Sequence, residues 1–313
     1  MTGETVLITG GARGLGLIFA ELYARRGAKV AICSRTPEDL EHALEKLRRA
    51  HPETRLAGYV ADVSREDEVR GMVAHIERDL GPIEILVNNA GVILSAPIEE
   101  VTLEDFRISL DSNLWGMIQT SLAVLPAMRE RGHGKILNVT SVGGVLPVPH
   151  LAAYSTAKFG AVGFSTSLAL AERPYGITVT TAAPTLMRTG SYLHARFKGD
   201  HAKEYGWFAK ASTLPFLSKS AVAAAEAMIR AADRGQAFAV VGMNAKLGRM
   251  AFTLFPNLFL RVMTAVDRAL PHGKGREGKV ALEGYEISSG LRRKPETKIG
   301  ARAAEVWNER SAT

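Results

Sequence analysis

Cysteine is almost missing from this chain. Cys33 stands alone among 313 residues, which excludes an internal disulfide and points to a reducing, cytoplasmic setting. Its place inside the apolar run KVAICS marks a core thiol rather than a reactive one. None of the eight histidines stands at metal-ligand spacing, so no catalytic metal is expected. The opening MTGETVLITG has no charged stretch followed by an apolar one, and no signal peptide is visible. No apolar run reaches the ~20 residues that a membrane-spanning helix needs. Aromatic residues make up 7% and form no stripe interleaved with basic side chains, which argues against nucleic-acid readout. No internal repeat stands out.

What is present is an ordinary globular composition, 46% hydrophobic and 23% charged. The net charge of +7 is unevenly placed: from Met243 onward there are 13 Lys/Arg against 7 Asp/Glu, so the preceding 242 residues are nearly neutral. The basic excess belongs to a tail, where such residues are usually solvated.

Short β-branched runs alternate with longer amphipathic ones. TVLITG, KVAICS, RLAGYVAD, EILVNNAG, GKILNVTS and GITVTTAAP read as six strands, apolar enough to be covered on both faces. QAFAVVG reads as a seventh. Helices are expected at 15–26, 37–50, 66–80, 103–130, 151–173 and in KSAVAAAEAMIRAADRG. This alternation predicts an α/β fold: a Rossmann-type doubly wound parallel sheet of about seven strands, helices on both faces, right-handed crossovers. One main domain is expected over 1–242, with a helical extension over 243–313.

TGGARGLG, at 9–16, follows the first strand and opens the first helix. Glycines there permit a tight turn and close backbone approach to a pyrophosphate, and the helix start adds free amide donors. A glycine string alone is a weak signal; the strand–turn–helix context strengthens it. An NAD site usually carries an acidic side chain at the end of the second strand. Here Ser34 and Arg35 follow, with no carboxylate until Glu38. Arg13 and Arg35 together suit a ribose 2′-phosphate, since a guanidinium fork matches phosphate geometry. NADP is therefore expected over NAD.

With these residues the chain resembles the short-chain dehydrogenase/reductase family. TGGARGLG, ADV at 61–63, NNAG at 88–91, NLWG at 113–116, VTS ending at Ser141 and YSTAK at 154–158 occur in the family's order across about the first 190 residues. The resemblance implies that Gly10, Gly14, Leu15 and Gly16 with Arg13 form the cofactor loop, beside Ser34 and Arg35. It implies that Asp62 and Val63 hold the adenine and that Asn89, Ala90 and Gly91 line the cofactor. Asn113, Ser141, Tyr154 and Lys158 would be the catalytic tetrad, with Tyr154 and Lys158 also touching the cofactor. Pro184 and Thr189 would meet the nicotinamide end. The glycine expected after Pro184 is replaced by Thr185, which leaves the local loop path open.

Tyr154 and Lys158 share a helix face one turn apart. A free phenol titrates near ~10, and a nearby ammonium is expected to lower it. Thr140 competes with Ser141 as oxyanion donor; adjacent strand residues point to opposite faces, and the family spacing selects Ser141.

Candidate substrate walls are Ile93, Leu94, Val142, Leu146, Val148, Leu186, Met187 and Tyr192, with Trp207 and Phe208 on a lid and His150 at the rim. They suggest a hydrophobic carbonyl or alcohol substrate. Arg188 is expected in solvent rather than on a ligand. Residues 246–271 are strongly apolar with arginines at 249, 261 and 268. A kinked helix pair capping the site is the first reading, peripheral membrane contact in the plane of the surface the second, a partner surface the third. The remaining tail is expected to wrap the domain and end in a short helix. The resemblance implies a homodimer through the helices at 103–130 and 151–173. Three functions stay open: an NADP-dependent oxidoreductase for a hydrophobic carbonyl/alcohol pair, a 3-oxoacyl-thioester reductase, and a non-catalytic NADP-binding regulator.

Overall fold

The computed structural model describes residues 3–291 and 295–307. Seven strands form one parallel sheet: β1 (Thr5–Thr9), β2 (Lys29–Ser34), β3 (Leu56–Val60), β4 (Ile83–Asn88), β5 (Gly134–Val139), β6 (Ile177–Pro184) and β7 (Phe238–Val241). Their spatial order is β7-β6-β5-β4-β1-β2-β3. All seven predicted strands are present.

Alternation along the strands builds two cores. Val6 and Ile8 of β1 and Val30 and Ile32 of β2 face one layer. Leu7, Ala31 and Cys33 face the other. The first layer is covered by α1 (Gly14–Ala24) and α2 (Pro37–Ala50). The second is covered by α3 (Glu66–Leu80) and by helices of the 103–172 stretch. Strands buried on both faces must be apolar at every position, which is why these runs read continuously.

The stretch expected as one helix at 103–130 is helical throughout, from Leu103 to Arg131, with a π-helical turn inside it. α4 (Leu103–Leu110) is opened by a capping box between Thr102 and Asp105, and α5 (Gly116–Arg131) closes at Gly132 with φ +71°. Between them Asp111–Trp115 forms a wider π-helical turn. Such turns recur at functional sites because the inserted residue re-aims its neighbours, and this one carries Asn113. After β5 come α6 (Ala152–Glu172), α7 (His201–Thr213) and α8 (Ala221–Asp233), the last covering the first core.

The chain winds outward from β1 to β3 and then back from β4 to β7. The carboxyl ends of β1 and β4 therefore diverge, leaving the crevice in which open α/β sheets bind ligands. The glycine loop leaves β1 there and the NNAG segment leaves β4 there.

Beyond β7 the chain forms α9 (Met243–Leu254) and α10 (Pro256–Asp267), a helix pair broken at Phe255–Pro256 as the sequence suggests. The chain then returns to the body. Leu282–Glu283 pairs antiparallel with Arg196–Phe197, which in turn lies beside Leu94–Ser95. α11 (Gly284–Ser289) and α12 (Lys298–Val306) follow. Thr297 caps α12 and donates from its amide and hydroxyl to the hydroxyl and carbonyl oxygens of Thr213 in α7. The Gly14 amide donates to the Trp307 carbonyl at 2.7 Å, and Lys46 lies over the Trp307 ring. The described part of the tail thus wraps the sheet; residues 292–294 and 308–313 lie outside the described residues.

Gly284 is the tightest point of this wrapping. Its amide donates to the Ala195 carbonyl at 2.9 Å, and a Cβ there would collide with the Tyr192 carbonyl oxygen. Gly284→Ala is expected to loosen the tail without unfolding the sheet. Limited proteolysis should then cut within residues 270–290 several-fold faster while far-UV circular dichroism is unchanged. Equal cleavage rates would show that the contact does not hold the tail.

Candidate active site

The β1–α1 turn shows why its glycines are needed. Gly10 (φ +62°) and Gly14 (φ +52°) occupy left-handed backbone, where a Cβ is disfavoured. A Cβ at Gly16 would collide with the Gly10 carbonyl oxygen. Asn89 binds this turn from β4: its side-chain amide donates to the Thr9 and Gly10 carbonyls at 3.1 and 3.2 Å. The Asn89 and Ala90 amides both donate to Thr9 Oγ1 at 3.0 Å. Two loops at the crevice are thereby fixed to each other before any ligand arrives.

A single cavity of about 950 Å³ extends from this turn. It brings together Gly10, Arg13, Leu15, Ser34, Arg35, Asp62, Val63, Asn89, Ala90 and Gly91 at the loop end. Asn113, Ser141, Tyr154, Lys158, Pro184 and Thr189 line it as well. Gly14 and Gly16 shape the turn from behind and do not line it.

At the far end the four polar residues converge. Thr140 turns away, donating to the Ala182 carbonyl at 2.8 Å, so the strand alternation presents Ser141 to the cleft. Ser141 Oγ accepts from the Gly143 amide at 3.1 Å and shares a hydrogen bond with the Tyr154 phenol. Asn113 is held in the widened turn by donating to the Val92 and Ser109 carbonyls at 2.9 and 3.0 Å. Its Oδ1 is buried and accepts no hydrogen bond among the described residues. A Cβ at Gly91 would collide with that Oδ1 and lie 3.7 Å from Lys158 Nζ. The missing side chain at Gly91 is what lets the carboxamide and the ammonium approach.

Lys158 is 4% exposed. Its Nζ donates to the Val139 carbonyl at 3.2 Å and lies 5.7 Å from the centre of the Tyr154 ring. Burial pushes its ammonium down to about 8. The Tyr154 phenol departs from the sequence expectation: it is raised, not lowered. Burial disfavours the phenolate, and the Ser141 hydrogen bond offsets this only in part.

At the opposite end, Ser34 closes β2 and no acidic residue follows it directly. Arg35 lies 3.7 Å from Asp62. Arg13 meets Asp39 at 3.4 Å and His194 at 3.0 Å. Burial alone would raise the Asp62 carboxyl, but hydrogen bonds from the Ser64 amide and hydroxyl, with Arg35, hold it below the usual range.

Eight of the ten expected wall residues line the cavity: Ile93, Val142, Leu146, Val148, Leu186, Met187, Trp207 and Phe208. Two do not. Leu94 packs under it with Ala96 and Ala153, because the short strand aims it inward. Tyr192 belongs to an aromatic core with Phe197 and Tyr205. Trp207 and Phe208 sit on α7, packed into that core rather than on a loose lid. His150 is not at the rim. It takes a left-handed backbone (φ +60°) and its Nδ1 lies 2.8 Å from the buried carboxylate of Glu204, which also accepts from Trp207. Arg188 is tied to the Ser218 carbonyl at 2.6 Å. Thr185 keeps an ordinary backbone, since its φ is not positive. A Cβ at Gly242, just past β7, would meet the Thr185 methyl at 2.7 Å, so the glycine there makes room for the threonine.

Sequence reasoning missed the walls supplied by α9 and α10. Gly248, Phe259 and Met263 line the cavity, as do Glu283 and Tyr285 of the returning tail. The helix-pair capping reading foresaw the contact; the residues that make it carry no motif. It also missed Asn88, whose amide joins Asn138 and Ser121 across the sheet and fixes β4 to β5 and α5.

A family model described as short chain dehydrogenase matches residues 4–196. The chain is 34% identical over 190 residues to 3-ketodihydrosphingosine reductase of Bacteroides thetaiotaomicron, covering 61% of this chain and 66% of that one. It is 33% identical over 241 residues to D-threitol dehydrogenase of Mycolicibacterium smegmatis, covering 74% and 91%. Among the first curated relatives that it matches, the chain spans 65% to 71% of their own length. Among solved structures it superposes on an actinorhodin polyketide ketoreductase variant with NADPH, with a TM-score of 0.68 and 29% identity, over 77% of this chain and 97% of that one.

The buried ammonium has a pH signature. Its value is 10.5 in the ordinary state and about 8 in the folded chain, so the unfolded chain binds the extra proton between these values. The destabilisation is complete below about pH 8 and is relieved as pH rises toward 10.5, in total by about 3 kcal/mol. Denaturant unfolding of wild type and Lys158→Met without cofactor should show a stability gap that changes by that order across this window. A gap independent of pH would mean that Lys158 titrates normally.

Proposed function

Because the chain belongs to the short-chain dehydrogenase family, we propose that it is an NADP-dependent oxidoreductase interconverting a hydrophobic ketone or aldehyde and its alcohol. The observation that carries this reading is the convergence of Ser141, Tyr154, Lys158 and Asn113 in one cavity whose walls are mainly apolar and whose other end is the glycine turn.

The residues present fit a dinucleotide. The left-handed glycines and the bare Gly16 keep the turn tight at the start of α1, where the helix dipole favours a pyrophosphate and the Gly14 amide is met by the Trp307 carbonyl of the tail. Arg13 and Arg35 would hold a 2′-phosphate, Asp62 and Val63 the adenine, and Asn89 to Gly91 the middle. Lys158 would hold the nicotinamide ribose, with Pro184 and Thr189 against the ring. The chemistry such a cofactor supplies is hydride transfer to or from a carbonyl carbon.

Tyr154 Oη passes a proton to the carbonyl oxygen during reduction and recovers it during oxidation. Ser141 Oγ donates to the same oxygen as charge develops there. Lys158, its ammonium lowered by burial, lies 5.7 Å from the centre of the Tyr154 ring, and its charge when protonated would favour the phenolate during the proton transfer. The free acceptor on Asn113 serves the proton path from Lys158 toward solvent. These are reacting groups rather than packing groups, which favours catalysis over a regulator that only binds the cofactor.

Ile93, Leu146, Val148, Met187, Phe259 and Met263 favour a substrate with a substantial apolar body. Relatives named for a sphingoid ketone and for a sugar alcohol fall on either side of that expectation, so the cavity carries the choice. A 3-oxoacyl thioester is the second reading, favoured by the likeness to a polyketide ketoreductase. A homodimer through α4, α5 and α6 fits the exposed Leu103, Trp115, Leu122, Phe159 and Leu170 on that side. A reducing, cytoplasmic location fits the single buried Cys33, whose thiol burial pushes up to about 11.

Tyr154→Phe is expected to lower kcat by about a thousandfold or more while NADPH binding stays within a factor of about two. Turnover of a ketone panel followed by NADPH oxidation, with binding by fluorescence, checks both. Retained turnover removes Tyr154 from the reaction. Separately, Arg13→Ala with Arg35→Ala should reduce the kcat/KM preference for NADPH over NADH by about ten- to a hundredfold, the value of one or two charge-assisted hydrogen bonds. A wild-type enzyme that prefers NADH would overturn the cofactor assignment.

A further inference from the structure

The α9–α10 pair has a composition at odds with its surroundings. α10 buries none of its twelve residues, and α9 buries only Ala245. The inner edge of the pair closes the cavity through Gly248, Phe259 and Met263, with Phe252 stacked on Phe259. The outer edge faces solvent with Leu247, Met250 and Leu254 on α9, three and four residues apart. Phe255, between the two helices, and Leu258, Val262 and Val266 of α10 continue that stripe, and Phe255 and Leu258 are 61% and 60% exposed. A continuous apolar stripe of this size marks an interaction site rather than scattered surface hydrophobes.

The charges around it have one sign. Between residues 243 and 268 the basic side chains are Lys246, Arg249, Arg261 and Arg268, and the only carboxylate is Asp267. Where α9 crosses the edge of the sheet, Lys219, Lys246 and Arg249 line a groove that contains no acidic side chain. Arg249 is fixed over the Phe238 ring at 4.4 Å. Apolar side chains flanked by lysine and arginine are the pattern of helices that lie in the headgroup region of an anionic membrane. No described helix is long and apolar enough to cross a membrane, so the contact is interfacial.

We propose that the outer face of α9 and α10 docks on an anionic lipid bilayer, with Leu254, Phe255, Leu258 and Val262 inserted and the surrounding Lys/Arg side chains on the headgroups. A second copy of the chain fits less well. A symmetric contact through this face would set its basic side chains against one another. Docking does not require the proposed activity, and its test does not read turnover.

The full chain is sedimented with phosphatidylcholine vesicles and with vesicles that also contain phosphatidylglycerol. Wild type should bind the anionic vesicles and be released by salt. Leu254→Ser, Phe255→Ser, Leu258→Ser and Val262→Ser combined should weaken that binding by at least about tenfold, with circular dichroism and NADPH affinity unchanged. Arg261→Glu with Arg268→Glu should weaken it by a similar amount and abolish the salt dependence. Wild type that ignores anionic vesicles, or serine variants that bind as tightly, would overturn the proposal. So would a wild-type dimer, indifferent to vesicles, that the serine variants split in size-exclusion chromatography; that result would assign the face to self-association.

Discussion

A lysine ammonium and a tyrosine phenol, one helical turn apart and withdrawn from water, set the terms for this molecule. Removing Lys158 from solvent costs free energy, and no carboxylate beside it among the described residues repays that cost. Burial acts on Tyr154 in the opposite sense, holding its proton on. The two groups are thus pushed toward their neutral forms together. A pair balanced in this way responds strongly to any charge placed between its members, because little water is present to screen it.

The fold supplies that balance by geometry at the sheet's carboxyl edge. Reversal of winding between β1 and β4 opens the crevice, and Asn89 with Thr9 ties its two walls together. The strand alternation at the end of β5 separates Thr140, bound to β6, from Ser141, which faces the phenol. The π-helical turn at Asp111–Trp115 brings Asn113 to Gly91, where the missing side chain leaves room. The region after β7 then finishes the cavity: α9 and α10 close one wall, and the returning tail reaches the glycine turn through the Trp307 carbonyl.

Much of this was legible in the sequence because it rests on local rules. Strands covered on both faces must be apolar throughout, so KVAICS and GITVTTAAP announce themselves. Tyr154 and Lys158 are four apart because a helix demands it. What escaped depended on contacts distant in sequence. The π-helical turn at Asp111–Trp115 carries Asn113, whose amide donates to the carbonyl of Val92, twenty-one residues back, a contact that no helical periodicity encodes. Tyr192 and Leu94 were assigned to the cavity by hydrophobicity, yet the direction of a two-residue strand and an aromatic core decide where they point. His150 is held by Glu204, fifty-four residues away. The sign of the Tyr154 shift was misjudged because spacing reveals the ammonium but not the burial that outweighs it.

The central claim is that Tyr154 and Lys158 form one electrostatic unit whose proton is released when the cofactor site fills. Its most direct test is the ultraviolet difference titration of wild type against Tyr154→Phe, with and without NADP⁺. The phenolate inflection should lie above the ordinary tyrosine value in the free protein and fall below it when the oxidised cofactor places positive charge beside it. An inflection that does not move, or that already lies below the ordinary value in the free protein, would contradict the account.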